Sequence, residues 1–205
     1  MARNLGPKHR MCRRVGVKLC DLSRCPVSRR NYPAGIHGPK GQQKMTEYGT
    51  QLLEKQKAKA VYGILERQLR SSYEDALHHP GDTGQILGQL LETRLDNVVF
   101  RLGLVPTRSA ARQAVTHGHV VVNGKKLSVP SYHVRGGDVI DIRERSQKSP
   151  LFQEYPKRVA AEMRVPEWLA VEPHTFRGRV IRLPTPDELQ SQPFRMQSIV
   201  EFYSR

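Results

Sequence analysis

Periodic apolar patterning is absent from the first 45 positions, and the run NYPAGIHGPKGQQK offers neither helical nor strand alternation, so this arm reads as extended or turn structure. At Thr46 the pattern changes. Thr46 is placed to cap a helix over TEYGTQLLEKQKAKAVYGI, with Tyr48, Leu52, Leu53, Val61 and Tyr62 as its candidate buried positions. A second helix is expected from about Ser71 or earlier to His79, ended by Pro80 and Gly81. The run GQILGQLLETRLDNVVFRLGL then places Ile86, Leu87, Leu90, Leu91, Leu95, Val98, Val99 and Leu102 along one face of a 3.6-residue period. It predicts one helix that Gly103 terminates. After Val105-Pro106, Thr107 caps a further helix through RSAARQAVTHG, stopped at Gly118.

Strand signals follow. In HVVVNGKKL, Asn123-Gly124 is the preferred pair for a two-residue hairpin turn, because both central residues need positive φ. VRGGDVIDI adds a turn at Gly136-Gly137 and a strand containing Val139 and Ile140, before the charged linker RERSQKSP. A helix at VAAEM, a Pro/Trp segment around Trp168 and a polar tail ending in IVEFYSR complete the pattern. These elements predict an α+β chain.

Composition changes the picture by its charge. A net charge of +15 in 205 residues, with a pI near 10.2, repels itself unless a polyanion neutralises it. Residues 1–45 hold eleven Lys or Arg against one acid, and residues 94–145 nine against four, whereas residues 46–93 hold five against seven. The strongest basic zone is thus the segment least able to build a core, which is the pattern of an arm laid along phosphates. Nucleic acid is favoured over an anionic membrane, since no apolar span of membrane length and no basic amphipathic helix is present. The opening MARNLGPKHR has no apolar stretch after its charges, so a cytoplasmic protein with reduced thiols is expected.

Candidate phosphate contacts in the arm are Arg3, Lys8, Arg10, Arg13, Arg14, Lys18, Arg29, Arg30, Lys40 and Lys44, joined by Lys55, Lys57 and Lys59 on the first helix. Arg108 and Arg112 stand four apart and project from one face of the helix after Thr107, near Gln113 and His117, while Ala110, Ala111, Ala114 and Val115 line the other side. The hairpin lysines Lys125 and Lys126 adjoin that face, giving one compact basic surface. In the arm, His9, Cys12, Cys20 and Cys25 are spaced H-x2-C-x7-C-x4-C. Four nitrogen or sulfur ligands within 17 residues of a coreless segment suit a closed tetrahedral structural Zn2+ site. The competing reading is three reduced structural cysteines with His9 as a phosphate contact.

The string RLDNVVFRLGLVPTRSAARQAVTHGHVVVNGKKLSVPSYHVRGGDVIDI, Arg94 to Ile142, resembles the S-four-type RNA-binding module of ribosomal proteins, some pseudouridine synthases and tyrosyl-tRNA synthetases, with RLD, R-x3-R, G-H-V-x-VNG and the closing GD in the family's order. In that family the helix face and hairpin contact structured RNA. The resemblance implies such contacts at Arg94, Arg101, Arg108, Arg112, Gln113, His117, His119, Asn123, Lys125, Lys126, Ser131, Tyr132 and Arg135 here. LEKQKAKAVYGILERQLR, LLETRLDN and the terminal EFYSR are similar to the bacterial S-four family of small-subunit ribosomal proteins, so the likeness covers nearly the whole chain; residues 146–200 depart from the pattern. With the charge count and the His/Cys spacing, it gives the expected organisation: a basic, zinc-stabilised arm at 1–45, a helical domain at 46–93 completed by the tail 185–205, and an inserted α+β RNA-binding domain at 94–184 with its core at 94–142. Many members carry four cysteines in the arm; His9 stands where the first would fall. The family binds 16S rRNA in its 5′ domain, nucleates early subunit assembly, and with ribosomal protein S-five contributes to accuracy near the mRNA entry region.

Two other classes compete. An RNA-modifying enzyme would need a dedicated catalytic domain, for which the chain has no room. Asp96 and Asp138 are the acids to nominate, but Asp96 is expected to pair with a neighbouring Arg and Asp138 to sit in a turn. A ribosome-recycling factor that grips stalled subunits with the same module fits less of the chain. The expectation is therefore a non-enzymatic ribosomal protein.

Overall fold

A computed structural model describes residues 6–22, 24–40, 44–153, 165–172 and 175–205. Arg3 and the expected VAAEM helix lie outside the described residues. The chain divides into two compact units, one formed by residues up to Gly88 together with Gln190–Arg205, the other by Gln89–Leu189.

In the first unit the arm is not wholly extended, because Lys8–Val15 forms helix α1, closed by Gly16 at φ 75°. The chain then makes a short 3-10 turn at Pro26–Ser28 and another at Gly38–Lys40. Helix α2, Glu47–Tyr62, begins as expected at Thr46, whose hydroxyl accepts from Gly49 N at 3.2 Å, and stops at Gly63 in the left-handed region. Its buried face differs from the expectation. Val61 and Tyr62 are inside with Ala58, but Tyr48 is exposed and Leu52 and Leu53 are half-buried, while Gln51, Glu54 and Lys55 take interior positions. Those polar residues are inside because they have partners. Lys55 Nζ donates to Glu66 Oε1 of α3, Glu66–Leu77, at 2.8 Å and lies 4.1 Å from the centre of the Phe202 ring. Phe202 belongs to the C-terminal helix Met196–Tyr203. Tyr203 stacks on Tyr73 and donates to Glu66 Oε1 at 2.7 Å, so one carboxylate joins three helices. Burial alone would raise the Glu66 carboxyl, but donation from Lys55, Lys59 and Tyr203 outweighs it and lowers the group to about 2.

The apolar run from Ile86 to Leu102 is not one helix. It forms α4, Thr83–Glu92, and α5, Leu95–Arg101, broken at Thr93-Arg94. The break exists because the backbone there pairs sideways: Arg94 bridges His133, Leu95 N donates to Tyr132 O at 2.8 Å, and Val134 N donates to Thr93 O at 3.0 Å. Thr107 caps α6, Arg108–Thr116, by accepting from Ala110 N at 3.2 Å. The Asn-Gly hairpin joins β1, Val120–Val122, to β2, Lys125–Lys126, with Asn123 at φ 50° and Gly124 at φ 78°, as its turn type demands. Val139–Ile142 is β3, followed by the short helices α7, Glu144–Gln147, and α8, Pro150–Gln153.

Two strands went unpredicted. Leu169–Val171, β4, and Gly178–Val180, β5, extend the sheet, which among the described residues is antiparallel throughout in the order β2-β1-β3-β5-β4. Short segments such as GRV carry too few alternations to announce a strand. Gly178 is fixed by packing, since a Cβ there would lie 2.5 Å from Leu102 Cδ2. Leu95 and Val98 of α5, Leu102 at its end, and Ala111, Ala114 and Val115 of α6 form one core with Val120, Ile140, Ile142, Phe152, Trp168 and Val180. Pro186–Gln190 forms α9, and Met196–Tyr203 is accordingly α10.

A polar layer ties α4, α5 and α6 together. Asp96, 4% exposed, accepts Arg94 Nε at 3.1 Å and Arg94 Nη2 at 2.9 Å, with Arg112 Nη1 at 3.4 Å. Asn97 Nδ2 donates to Glu92 Oε2 at 2.8 Å and Asn97 Oδ1 accepts Arg108 Nε at 2.8 Å, while Arg101 clasps Glu92 through two nitrogens. Removing one partner of a buried pair strands a charge. Asp96→Ala should therefore cost about 3–5 kcal/mol of unfolding free energy. Glu172→Ala, which breaks an exposed pair with Arg177, should cost under about 1 kcal/mol. Urea unfolding followed through Trp168, the sole tryptophan, reads both; equal small losses would contradict the role given to Asp96.

Candidate nucleic-acid interface and metal cluster

Unit two presents the helix–hairpin surface that the sequence suggested, with different residues at its front. The exposed positions of α6 are Ser109 and Gln113, with His117 just after its end, and beside them the hairpin exposes Asn123, Lys125 and Lys126. Lys126 arches over Gly118, where a Cβ would lie 2.2 Å from its Cε, so its ammonium is held near the C-terminal end of α6, the favourable end for a cation. Ser131, Tyr132 and Arg135 are exposed on the β2–β3 connection. Asn123 is exposed but committed to the fold, donating to Asp138 Oδ1 at 2.8 Å and accepting Val139 N at 2.9 Å. His119 is half-buried. Its Nδ1 lies 2.9 Å from Ser146 Oγ, and its pKa is lowered by burial first and then by His117 and Arg143, which disfavours the charged ring.

Arg94 and Arg108 do not front this surface. Arg94 is 3% exposed with its guanidinium on Asp96, and Arg108 is 9% exposed, bonded to Asn97 and stacked 4.4 Å over Phe100. Arg101 and Arg112 are partly covered and ion-paired with Glu92 and Asp96. The sequence placed Arg108 on the outer face because the residues it bonds, Asn97 and Phe100, lie on a different helix. Lys55 is corrected for the same reason: it is 6% exposed and paired with Glu66. Lys57 and Lys59 are half-buried beside Glu54 and Glu66.

Of the arm's expected contacts, Arg10, Arg14, Lys18, Arg29, Arg30, Lys40 and Lys44 are exposed. Arg24, between two of the cysteines, is exposed with them and was passed over; the acid-free run from Leu22 to Thr46 is the signal that marks it. Arg13 is half-buried and braces the arm, donating to the carbonyls of Tyr32 and Pro33 at 3.1 Å each. Of Lys8 only its place in α1 is described.

The four spaced ligands do converge. His9 and Cys12 lie three apart on α1, Cys20 and Cys25 follow in the next turns, and one ligand atom from each falls within 4.8 Å of all the others. His9 Nδ1 is 3.6 Å from Cys20 Sγ. A tetrahedral Zn2+ with ordinary Zn–N and Zn–S lengths sets that edge at about 3.6 Å, so the donor set fits the ion in kind and this edge matches it in length. Leu19 N donates to Cys12 Sγ at 3.4 Å, which helps to orient that sulfur. Without metal, burial pushes the Cys20 thiol up to about 11. At Cys25 burial also opposes ionisation, but the Val27 amide and the Cys20 and Cys12 thiols prevail and lower it.

The family described as "Ribosomal protein S4/S9 N-terminal domain" matches residues 3–92, and the "S4 domain" matches residues 93–140. The chain is similar over its full length to curated relatives, each also covered in full. These include small ribosomal subunit protein uS4A of Symbiobacterium thermophilum at 49% identity, uS4 of Natranaerobius thermophilus at 47%, and uS4 of Rubrobacter xylanophilus at 45%. With two domain matches in series and such identity from end to end, the chain belongs to the uS4 family of small ribosomal subunit proteins.

Proposed function

We propose that this chain is a structural constituent of the small ribosomal subunit that binds its rRNA directly, and as a member of that family it is not an enzyme. The observation that carries the reading is the exposed surface of Gln113, His117, Lys125 and Lys126 inside the segment matched by the S4 domain. Helix-end, hairpin and imidazole groups of this kind suit the phosphates and edges of folded RNA. The finer reading is that the RNA is 16S rRNA in its 5′ domain, bound early in assembly. Ribosomal protein S-five and mRNA near the entry channel are the proposed neighbours. The family likeness and the acid-poor arm support this reading.

The protein should bind a 5′-domain transcript with steep salt dependence, losing about 10³–10⁵ in affinity between 50 and 200 mM salt if ~6–10 phosphates are neutralised. Lys125→Gln with Lys126→Gln should lower the slope of log K against log salt by up to about 2, while Arg70→Gln, on an exposed helix ion pair, should leave it unchanged. Filter binding across salt measures both, and a flat profile would contradict the reading.

His9, Cys12, Cys20 and Cys25 are proposed to hold one structural Zn2+, which supplies the arm with the folding energy that apolar burial there does not. Elemental analysis should find one zinc per chain. Cys25→Ser should lose it and His9→Cys should keep it, since a thiolate fills the same tetrahedral position. Chelation should loosen the arm and weaken RNA binding while the 94–142 module keeps its own core. A metal-free protein with an ordered arm and unchanged affinity would remove the zinc.

A further inference from the structure

We propose that the turn at Gly35–Gly38 is an aliphatic wedge that inserts Ile36 between nucleobases of structured RNA, so that the arm grips the bases as well as the phosphates. The inference rests on the rRNA-binding reading above and adds a residue and a kind of contact to it.

Ile36 is 90% exposed, against 57% for Ile181, the next most exposed large apolar side chain among the described residues. Single exposed apolar residues are common and need no explanation. This one differs in how it is held. Arg13 donates to the carbonyls of Tyr32 and Pro33 and lies 5.1 Å over the Tyr32 ring, which clamps the backbone entering the turn. Gly38 N donates to Gly35 O at 3.2 Å, placing Ile36 and His37 at the two corners. Gly38 passes so close to Pro33 that a Cβ would lie 1.9 Å from its carbonyl oxygen, so the returning backbone is pressed against the entering one and only glycine serves there. Gly35 takes φ 108°, which likewise favours glycine. The turn is therefore shaped to hold an isoleucine outward, with much of the ordering entropy of binding already met in the free protein.

The charge around the turn selects its occupant. No Asp or Glu occurs between Asp21 and Glu47, and Arg29, Arg30, Lys40 and Lys44 on either side are exposed. An apolar tip within an acid-free basic field suits a polyanion that also has apolar faces. Nucleic acid meets both demands: its phosphates answer the bases of the arm and its stacked rings accept an aliphatic side chain between them. The exposed imidazole of His37, next to Ile36, provides a flat ring for a displaced base.

The test uses the full-length protein with its metal as purified and a transcript of the 5′ domain of small-subunit rRNA, with affinity measured from 50 to 200 mM salt. Ile36→Ala should weaken binding about 10- to 100-fold at every salt concentration, the range that corresponds to burying an isoleucine, with the salt slope unchanged because no phosphate contact is lost. Ile36→Leu should keep most of the affinity, and Ile181→Ala should behave as wild type. Equal binding by Ile36→Ala and wild type would overturn the wedge. So would a flattened salt slope, which would mean that the arm had lifted from the phosphates, or an equal loss in Ile181→Ala. Absence of binding by the wild-type protein would instead overturn the rRNA reading, and the wedge with it.

Discussion

A chain with 34 Lys and Arg against 19 Asp and Glu folds only if its cations are sorted, some against internal carboxylates and the rest outward. The pair of Arg94 with Asp96 shows the first fate most fully. Its two hydrogen bonds lie at the junction where α4 ends and α5 begins, and Arg112 of α6 reaches the same carboxylate. Glu92 and Asn97 extend the layer to Arg101 and Arg108. Polar side chains therefore fix the angles between three helices whose apolar faces, left to themselves, would tolerate several packings. The hairpin depends on that junction as well, because the β2–β3 connection is bonded to the backbone of Thr93 and Leu95.

The second fate is exposure, and it is concentrated where folding by burial is weakest. In unit two it takes a two-residue strand, β2, whose lysines are outside while β1 and β3 behind it hold the core. In the arm the problem is harder, since residues between Gly6 and Lys44 bury few apolar side chains, Leu19 among them. Cys12 and Cys25 are buried there instead, and four ligand atoms converge as a substitute for a core. Arg13 is the exception within the arm, an internal brace made with carbonyl oxygens rather than a carboxylate. A carbonyl brace leaves the arm's cations unneutralised by internal acids.

Local signals in the sequence were legible. Thr46 and Thr107 cap the helices they announce, Asn123-Gly124 makes its hairpin, and the spacing of His9, Cys12, Cys20 and Cys25 does bring four ligands together. Features that depend on distant partners were not. Nothing in the apolar period from Ile86 to Leu102 marks the break at Thr93-Arg94, because its cause is backbone pairing with residues 132–134. The burial of Lys55 and Arg108 is hidden for the same reason: Glu66 and Phe202 cover one, Asn97 and Phe100 the other. Charge count therefore marked segments that do expose bases, while helical spacing put at the front of α6 two arginines that the fold buries or partly covers.

Sorting of the cations can be read directly by acetylating lysines in the free protein and in its rRNA complex, then measuring modification of each by mass spectrometry. Lys55, covered by Glu66 and Phe202, should resist modification in both states. Lys40, Lys44, Lys125 and Lys126, exposed in the free protein, should react there and be protected in the complex. Rapid modification of Lys55 in the free protein, or Lys125 and Lys126 as reactive in the complex as without RNA, would contradict the account.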